Sequence, residues 1–214
     1  MLLEVSNIKK SFQDNLVLEN LSLSLDLEES ICITGSNGSG KSTLLKICSG
    51  LLHPDQGAVN VLEKSFLSQS QGLEIRRRIG VLLHSNMLYP TYTVRQNLYL
   101  FAKILGIIEY KSRVGEIVER LGLDDSMDKE VQKLSNGNKR KVGLCKSLLN
   151  DPDLLIIDEP ESNLDAESLK TIAGILTDRA TSGKGNLFTS HSVEFSALCS
   201  TKSFKICSGS LVLL

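Results

Sequence analysis

The residues best suited to chemistry form one short run near the start of the chain. Gly35-Ser36-Asn37-Gly38-Ser39-Gly40-Lys41-Ser42 fits the pattern G-x-x-x-x-G-K-[ST] without a gap. Glycines at these positions let successive backbone N–H groups turn toward a chain of phosphates, and a following helix, which Thr43 opens, adds its positive N-terminal end. We expect Lys41 to bind the β- and γ-phosphates and the Ser42 hydroxyl to coordinate Mg²⁺. The run therefore predicts a nucleotide site.

A second reactive group is expected where an apolar strand ends in two carboxylates. Leu154 to Ile157 is followed directly by Asp158 and Glu159. In a phosphate-loop site Asp158 would hold Mg²⁺ through the water shell of the metal, and Glu159 would polarise an attacking water. The alternative is a purely structural acidic end that caps the next helix.

The elements around these residues alternate between strands and helices. Short apolar runs predict buried strands at 30–34, 154–157 and 187–189, and helical spacing predicts helices at 43–49 and 169–180. Such alternation indicates an α/β fold with a largely parallel sheet. The helical pattern between Tyr92 and Asn150 indicates an insertion.

Two-residue periodicity marks both ends of the chain. Leucines at 16, 18, 21, 23 and 25 predict one buried face of antiparallel strands, with a turn at Asp14-Asn15. Phe204 to Leu214, interrupted by Ser208-Gly209-Ser210, predicts a hairpin.

Composition limits the class of protein. The 214 residues carry 24 Lys plus Arg against 25 Asp plus Glu, a net charge of −1, which argues against a general nucleic-acid binder. No apolar stretch approaches the roughly 18 to 20 residues of a membrane span, and the charged start does not fit a secretory signal. The five cysteines lack metal-site spacing and are expected to be buried free thiols.

The order of the motifs resembles that of the ATP-binding cassette (ABC) ATPases. The phosphate loop is followed by the signature-like Leu134-Ser135-Asn136-Gly137-Asn138, then Asp158-Glu159-Pro160, then Ser162-Asn163-Leu164-Asp165, with His191 after the next strand. The resemblance covers essentially the whole chain. It implies one domain over residues 1–214, with a P-loop NTPase core, a mixed mostly parallel sheet, an N-terminal antiparallel β subdomain and a helical subdomain inserted at about 86–150.

The same resemblance implies roles for further residues. Phe12 would stack on adenine, an interaction worth about 1–3 kcal/mol, although it would also suit a strand core. Ser135 and Gly137 would contact the γ-phosphate of ATP held by a second copy, in a head-to-tail dimer of identical or closely related subunits. Asp165 would couple the two sites, and His191 would hold the attacking water.

This chain departs from the usual ABC motifs at two places. His84 stands where the family usually has a glutamine, and an imidazole fits the water shell of Mg²⁺ less well than an amide oxygen. Asn136 and Asn138 replace the commoner Gly and Gln of the signature, but Asn tolerates the turn that starts a helix. Both changes are expected to slow turnover without abolishing binding.

The resemblance further implies an exporter-type cassette on the cytoplasmic side of a membrane, bound to a separate integral membrane subunit. Ile33 to Gly38 and His84 are similar to the heme-exporter ATPase of cytochrome c maturation, although Ser85 replaces the usual next Gln. The alternative is a soluble ABC ATPase of translation or DNA repair. The single cassette and the lack of sustained heptads over residues 64–130 argue against that alternative. A regulator that no longer hydrolyses is a third possibility, and the intact motif residues argue against it.

Overall fold

The computed structural model describes residues 1–214, except for the side chain of Gln69, and arranges them as two β-sheets with covering helices. The strands of the described residues are β1 (Leu3–Phe12), β2 (Asn15–Leu25), β3 (Ser30–Thr34), β4 (Gln56–Val61), β5 (Lys64–Ser65), β6 (Ile79–Leu82), β7 (Leu154–Ile157), β8 (Gly185–Thr189), β9 (Lys202–Cys207) and β10 (Ser210–Leu213). The α-helices are α1 (Lys41–Cys48), α2 (Gln69–Arg78), α3 (Val94–Ile104), α4 (Tyr110–Arg120), α5 (Asn136–Leu148), α6 (Ala166–Thr181) and α7 (Val193–Cys199).

The N-terminal sheet is antiparallel, as predicted, with the strand order β2-β1-β4-β5. Four of the five leucines predicted to face the core are buried, but Leu16 is 41% exposed, so that part of the prediction was wrong. Leu16 pairs with Ser11 next to the turn of the β1–β2 hairpin, beyond the covered part of the strand. The buried leucines change from even to odd numbers at Asn20, whose φ of 48° interrupts the regular alternation.

The second sheet has the order β10-β9-β3-β8-β7-β6, and all its pairs are parallel except β9–β10. In β7, Leu154 and Ile156 belong to one hydrophobic cluster, and Leu155 and Ile157 belong to another. This strand is therefore covered on both faces, as its continuous apolar run predicted. The predicted α/β fold class and the C-terminal hairpin are confirmed.

The inserted helices carry recognisable start signals. α3 begins at Val94, two residues after the predicted Tyr92, because Thr93 caps it. α2 was not predicted, because its sequence has no apolar stripe: Ile75 is buried but Leu73 is largely exposed. Within the described residues no helix combines the length and the hydropathy needed to cross a bilayer.

Four of the five cysteines are buried, as expected, but Cys207 at the end of β9 is exposed. Burial raises the pKa of the Cys32 thiol to about 11 and that of Cys48 to about 12, so these two thiols remain protonated at neutral pH. The expectation of a buried thiol was wrong for Cys207, because β9 has one neighbour that is only a short terminal hairpin strand.

Candidate active site

The predicted phosphate loop connects the end of β3 with the start of α1. Gly40 has a φ of 105°, and a Cβ at this position would lie 2.8 Å from the side chain of Leu18. Glycine is therefore required here both by the left-handed backbone and by the close approach of β2. α1 begins at Lys41, two residues before the predicted Thr43, because this glycine already serves as its N-cap. Loop residues Ser36, Asn37 and Gly38 are exposed to an incoming ligand.

Lys41 is buried within this loop and is held by the loop's own backbone. Its Nζ donates to the carbonyl oxygen of Gly35 at 2.9 Å and to that of Ser36 at 3.0 Å. Phosphate oxygens are charged acceptors and form stronger hydrogen bonds with an ammonium group than neutral carbonyls do. The lysine is thus placed to exchange these two bonds for bonds to phosphate.

A continuous hydrogen-bond chain joins the phosphate loop to the predicted acidic pair. Ser42 Oγ donates to Asp158 Oδ2 at 2.8 Å, and Thr189 Oγ1 donates to Asp158 Oδ1 at 2.7 Å. The backbone N–H of Glu159 donates to Thr189 Oγ1 at 2.9 Å. A hydroxyl and a carboxylate placed side by side are oxygen ligands of the kind Mg²⁺ prefers, so Ser42 and Asp158 fit the predicted metal role.

Glu159 and His191 form the reactive end of this chain. His191 Nε2 lies 2.9 Å from Glu159 Oε1, and Ser162 Oγ donates to Glu159 Oε2 at 3.0 Å. Glu159 has a φ of 50°, an unusual value for a residue with a side chain, and such strain concentrates at functional sites. Glu159 and His191, two of the predicted catalytic residues, therefore lie at one place.

His84 follows β6 and is exposed. It lines a polar cavity of about 430 Å³ together with Asp158, Glu159, Asn86 and Asn163. The structure thus places His84 next to the acidic pair, where the ABC resemblance expected a glutamine.

A larger cavity of about 600 Å³ lies beside the phosphate loop. Its walls come from the start of β2, from the loop residues Ser36, Gly38 and Ser39, and from the β9–β10 hairpin, which contributes Cys207. Phe12 ends β1 just before this wall and is 47% exposed, and Lys10 Nζ lies 5.6 Å from the centre of its ring. An exposed ring at this place is accessible to a base, and its stacking role stays a prediction.

The signature residues and Asp165 lie on the surface at helix starts. Ser135 caps α5 by accepting from the N–H of Asn138 at 3.2 Å, and Asp165 caps α6 by accepting from Ser168 at 2.8 Å. The bond from Ser168 lowers the pKa of the Asp165 carboxyl group. Among the described residues, Ser135, Gly137 and Asp165 are not part of the walls of either cavity. Their roles toward ATP held by a second copy stay predictions.

Two residues of the site were not singled out from the sequence. Thr189 connects Asp158 with Glu159, as described above. Arg140, which is 7% exposed, donates from its Nη atoms to the carbonyl oxygens of Leu83, at 2.7 Å, and of Asp158 and Glu159. Arg140 lies four residues before the buried Leu144, and this helical spacing was the signal that it faces inward.

The comparisons with known proteins agree with this geometry. The family model described as ABC transporter matches residues 18–162. The chain is 34% identical over 194 residues to Nod factor export ATP-binding protein I of Burkholderia orbicola, which covers 90% of this chain and 63% of that protein. It is 32% identical over 206 residues to the ABC transporter ATP-binding protein NatA of Bacillus subtilis, covering 92% and 83%. The chain thus spans less than two thirds of the Nod factor export relative.

Solved structures show the same fold. A structure described as the ATP-binding subunit of an ABC transporter superposes with a TM-score of 0.91 at 26% identity, covering 99% of this chain and 88% of that one. A dimeric ATP-binding cassette bound to ADP and Pi in a post-hydrolysis state gives a TM-score of 0.89 at 23% identity, covering 98% and 96%. Together with the phosphate loop, the acidic pair and His191, these matches show that the chain belongs to the ABC transporter family and is an ABC ATPase domain.

Proposed function

We propose that the chain binds and hydrolyses ATP with Mg²⁺ and that this reaction drives export through a separate membrane subunit. The observation that carries the proposal is the hydrogen-bond chain from Ser42 through Asp158 and Thr189 to the backbone N–H of Glu159, together with the 2.9 Å approach of His191 Nε2 to Glu159 Oε1. It fixes the backbone of the proposed general base relative to the phosphate-binding loop.

The reaction we propose is attack of water on the γ-phosphorus, which breaks the bond to the β-γ bridging oxygen and gives ADP and phosphate. Lys41 and the loop N–H groups bind the phosphates, and Ser42 and Asp158 hold Mg²⁺, which supplies neutralisation of the phosphate charge. Glu159 Oε1 accepts a proton of the attacking water. His191 Nε2, 2.9 Å from that oxygen, orients the water and the γ-phosphate.

The test of this step is Glu159→Gln, which keeps the size of the side chain but removes the base. We expect kcat for ATP hydrolysis to fall by about 100-fold or more, because general bases contribute factors of this order, while ATP binding is retained. We also expect ATP to trap a dimer of this variant in size-exclusion chromatography. Hydrolysis at the parent rate would show that Glu159 is not the base.

The dimer we propose pairs two copies, or two closely related chains, head to tail. Ser135 uses its oxygen lone pair to cap α5, so its hydroxyl hydrogen is available to a phosphate held by another copy. Ser135 and Asp165 are both exposed, as such contacts require. ATP binding would close this dimer, and loss of the γ-phosphate would open it and move the membrane subunits.

A groove between the core and the inserted helices is the docking site we propose for the membrane subunit on the cytoplasmic side. It has a volume of about 410 Å³ and a mainly apolar wall, with Leu51, Met87 and Ile104 more than half exposed. Exposed apolar side chains grouped in one groove are typical of interaction sites. Lys146 and Arg76 add positive charge to the groove.

Two exposed leucines offer a matched test of docking. Leu51, in the groove, is 57% exposed and Leu27, in the turn before β3, is 58% exposed. We expect Leu51→Asp to abolish co-purification of the membrane subunit, because a charge would replace an apolar contact, and Leu27→Asp to leave it unchanged. Equal recovery of the subunit with both variants would exclude the groove.

Export is favoured by the similarity to the Nod factor export relative, and heme remains the cargo suggested by the sequence resemblance at Ile33 to Gly38 and His84. A cargo would pass through the membrane subunit, so mass spectrometry of the co-purified subunit is the informative experiment. A ribosome or DNA complex in place of a membrane subunit would instead support the translation or repair alternative.

A further inference from the structure

The residue that follows Glu159 and Pro160 is a third carboxylate, Glu161, and it reaches across to the segment after β8. Glu161 Oε1 accepts from Ser190 Oγ at 2.6 Å and from the backbone N–H of His191 at 2.9 Å. Among the described residues Glu161 Oε2 is buried and has no hydrogen-bond partner. One oxygen of this side chain thus binds the backbone of the residue whose ring contacts the general base.

The segment around His191 is fixed from two sides. Ser190 Oγ accepts from the N–H of Ser192 at 3.0 Å while it donates to Glu161. Ser192 Oγ in turn caps α7 by accepting from the N–H of Phe195 at 3.1 Å. Glu161 therefore anchors one side of this short turn, and α7 anchors the other.

Glu161 also has an energetic cost, because one of its carboxylate oxygens is buried without a hydrogen-bond partner in the described part of the chain. A buried polar atom without a partner loses its bonds to water, at a cost of about 1–3 kcal/mol and more for a charged group. Natural chains tolerate such groups mainly where they serve a function. Glu161 accepts one hydrogen bond from Ser190 and one from His191. We therefore expect the functional benefit that offsets this cost to arise at the histidine.

We propose that Glu161 is a positioning residue for ATP hydrolysis: it fixes the backbone of His191 so that the imidazole meets Glu159 and the γ-phosphate. The proposal rests on the proposed function. Glu161 itself touches neither the water nor the phosphate in this arrangement. A small displacement of an orienting group lowers a rate by up to about 100-fold without weakening the binding of substrate to the rest of the site.

Two conservative substitutions distinguish the effect of the length of the Glu161 side chain from the effect of its charge. Glu161→Gln keeps a carbonyl oxygen at the same reach and should keep kcat within about threefold of the parent. Glu161→Asp keeps the charge but is one methylene shorter, and it should lower kcat by about 10- to 100-fold with KM for ATP within about twofold. Glu194→Met is the matched control, because Glu194 accepts from the Ser192 side chain but not from His191. We expect it to keep the parent kcat.

A combination with His191→Ala tests whether Glu161 acts through the histidine. In that background Glu161→Asp should lower kcat by less than about threefold, because residues that act as one unit are not additive. Parent activity of Glu161→Asp, an equal loss in Glu161→Gln, or the full loss in the His191→Ala background would each overturn the proposal.

Hydrogen exchange of the His191 amide gives a readout that does not need hydrolysis. We expect slow exchange in the parent and in Glu161→Gln and at least tenfold faster exchange in Glu161→Asp. If the parent does not hydrolyse ATP while this exchange pattern holds, the proposed function fails and the anchoring of His191 by Glu161 stands. If the exchange rates of the three proteins are equal, the anchoring fails whatever the activity.

Discussion

Lys41 is the residue with the most direct effect on nucleotide binding, because its ammonium group already lies against the carbonyl oxygens of the phosphate loop. We expect Lys41→Ala to weaken ATP binding at least about tenfold, since charged hydrogen bonds to phosphate are lost. Titration with a fluorescent ATP analogue measures this. Lys46→Ala, an exposed lysine later on α1, should bind ATP as the parent does, and equal affinity of the two variants would contradict the phosphate-loop assignment.

His84 tests whether its replacement of glutamine slows the reaction. An amide oxygen suits a magnesium water shell better than an imidazole, so we expect His84→Gln to preserve or raise kcat for ATP hydrolysis. His53→Gln, an exposed histidine in the turn before β4, should have no effect. Complete loss of activity in His84→Gln would show that this imidazole has a specific role of its own.

At the scale of elements, the start of α3 has a complete capping box. Thr93 Oγ1 accepts from the N–H of Gln96 at 3.1 Å, and Gln96 Oε1 accepts from the N–H of Thr93 at 2.8 Å. We expect Thr93→Ala to lower the free energy of unfolding by about 1 kcal/mol, measured by urea denaturation. Thr91→Ala should change it by less than about 0.5 kcal/mol. Equal stability of both variants would show that the cap contributes nothing.

The elements were predictable where the chain repeats a local signal. The continuous apolar run of β7 and the spacing of α6 are such signals, and the strand at 154–157 was placed at its observed bounds. α2 was missed because one buried side chain, Ile75, is too little to make a stripe. Leu16 was misplaced because alternation says which residues share a face but not where the covering layer ends.

At the scale of the whole molecule, Lys146 ties α5 to the chain that leaves β6. Its Nζ donates to the carbonyl oxygen of Asn86 at 2.7 Å and lies 4.9 Å from the ring centre of Phe101. Burial lowers the pKa of this ammonium group from 10.5 to about 8. Between these two values the unfolded chain binds a proton that the folded chain has lost, so stability gains from rising pH in this window.

We therefore expect the free energy of unfolding of the parent, relative to Lys146→Met, to rise between about pH 8 and pH 10.5. The slope should not exceed about 1.4 kcal/mol per pH unit, the limit for one proton. Urea denaturation at several pH values measures the difference. A constant difference across this range would mean that the Lys146 pKa is not lowered in the folded protein.

The sequence by itself indicated the phosphate loop and the acidic pair, because each is a run of neighbouring residues, and the α/β class, because strand and helix patterns alternate along the chain. His191 followed from the order of motifs that the chain shares with the ABC ATPases. The tertiary structure alone decided that β8 lies between β3 and β7. This strand order puts Thr189 between the carboxylate of Asp158 and the backbone N–H of Glu159. It also decided that Arg140 enters the site from α5 and that Glu161 binds His191. These contacts join residues that are at least 18 positions apart in the sequence. The strand order that brings them together produces no local periodicity, so it cannot be seen in the sequence.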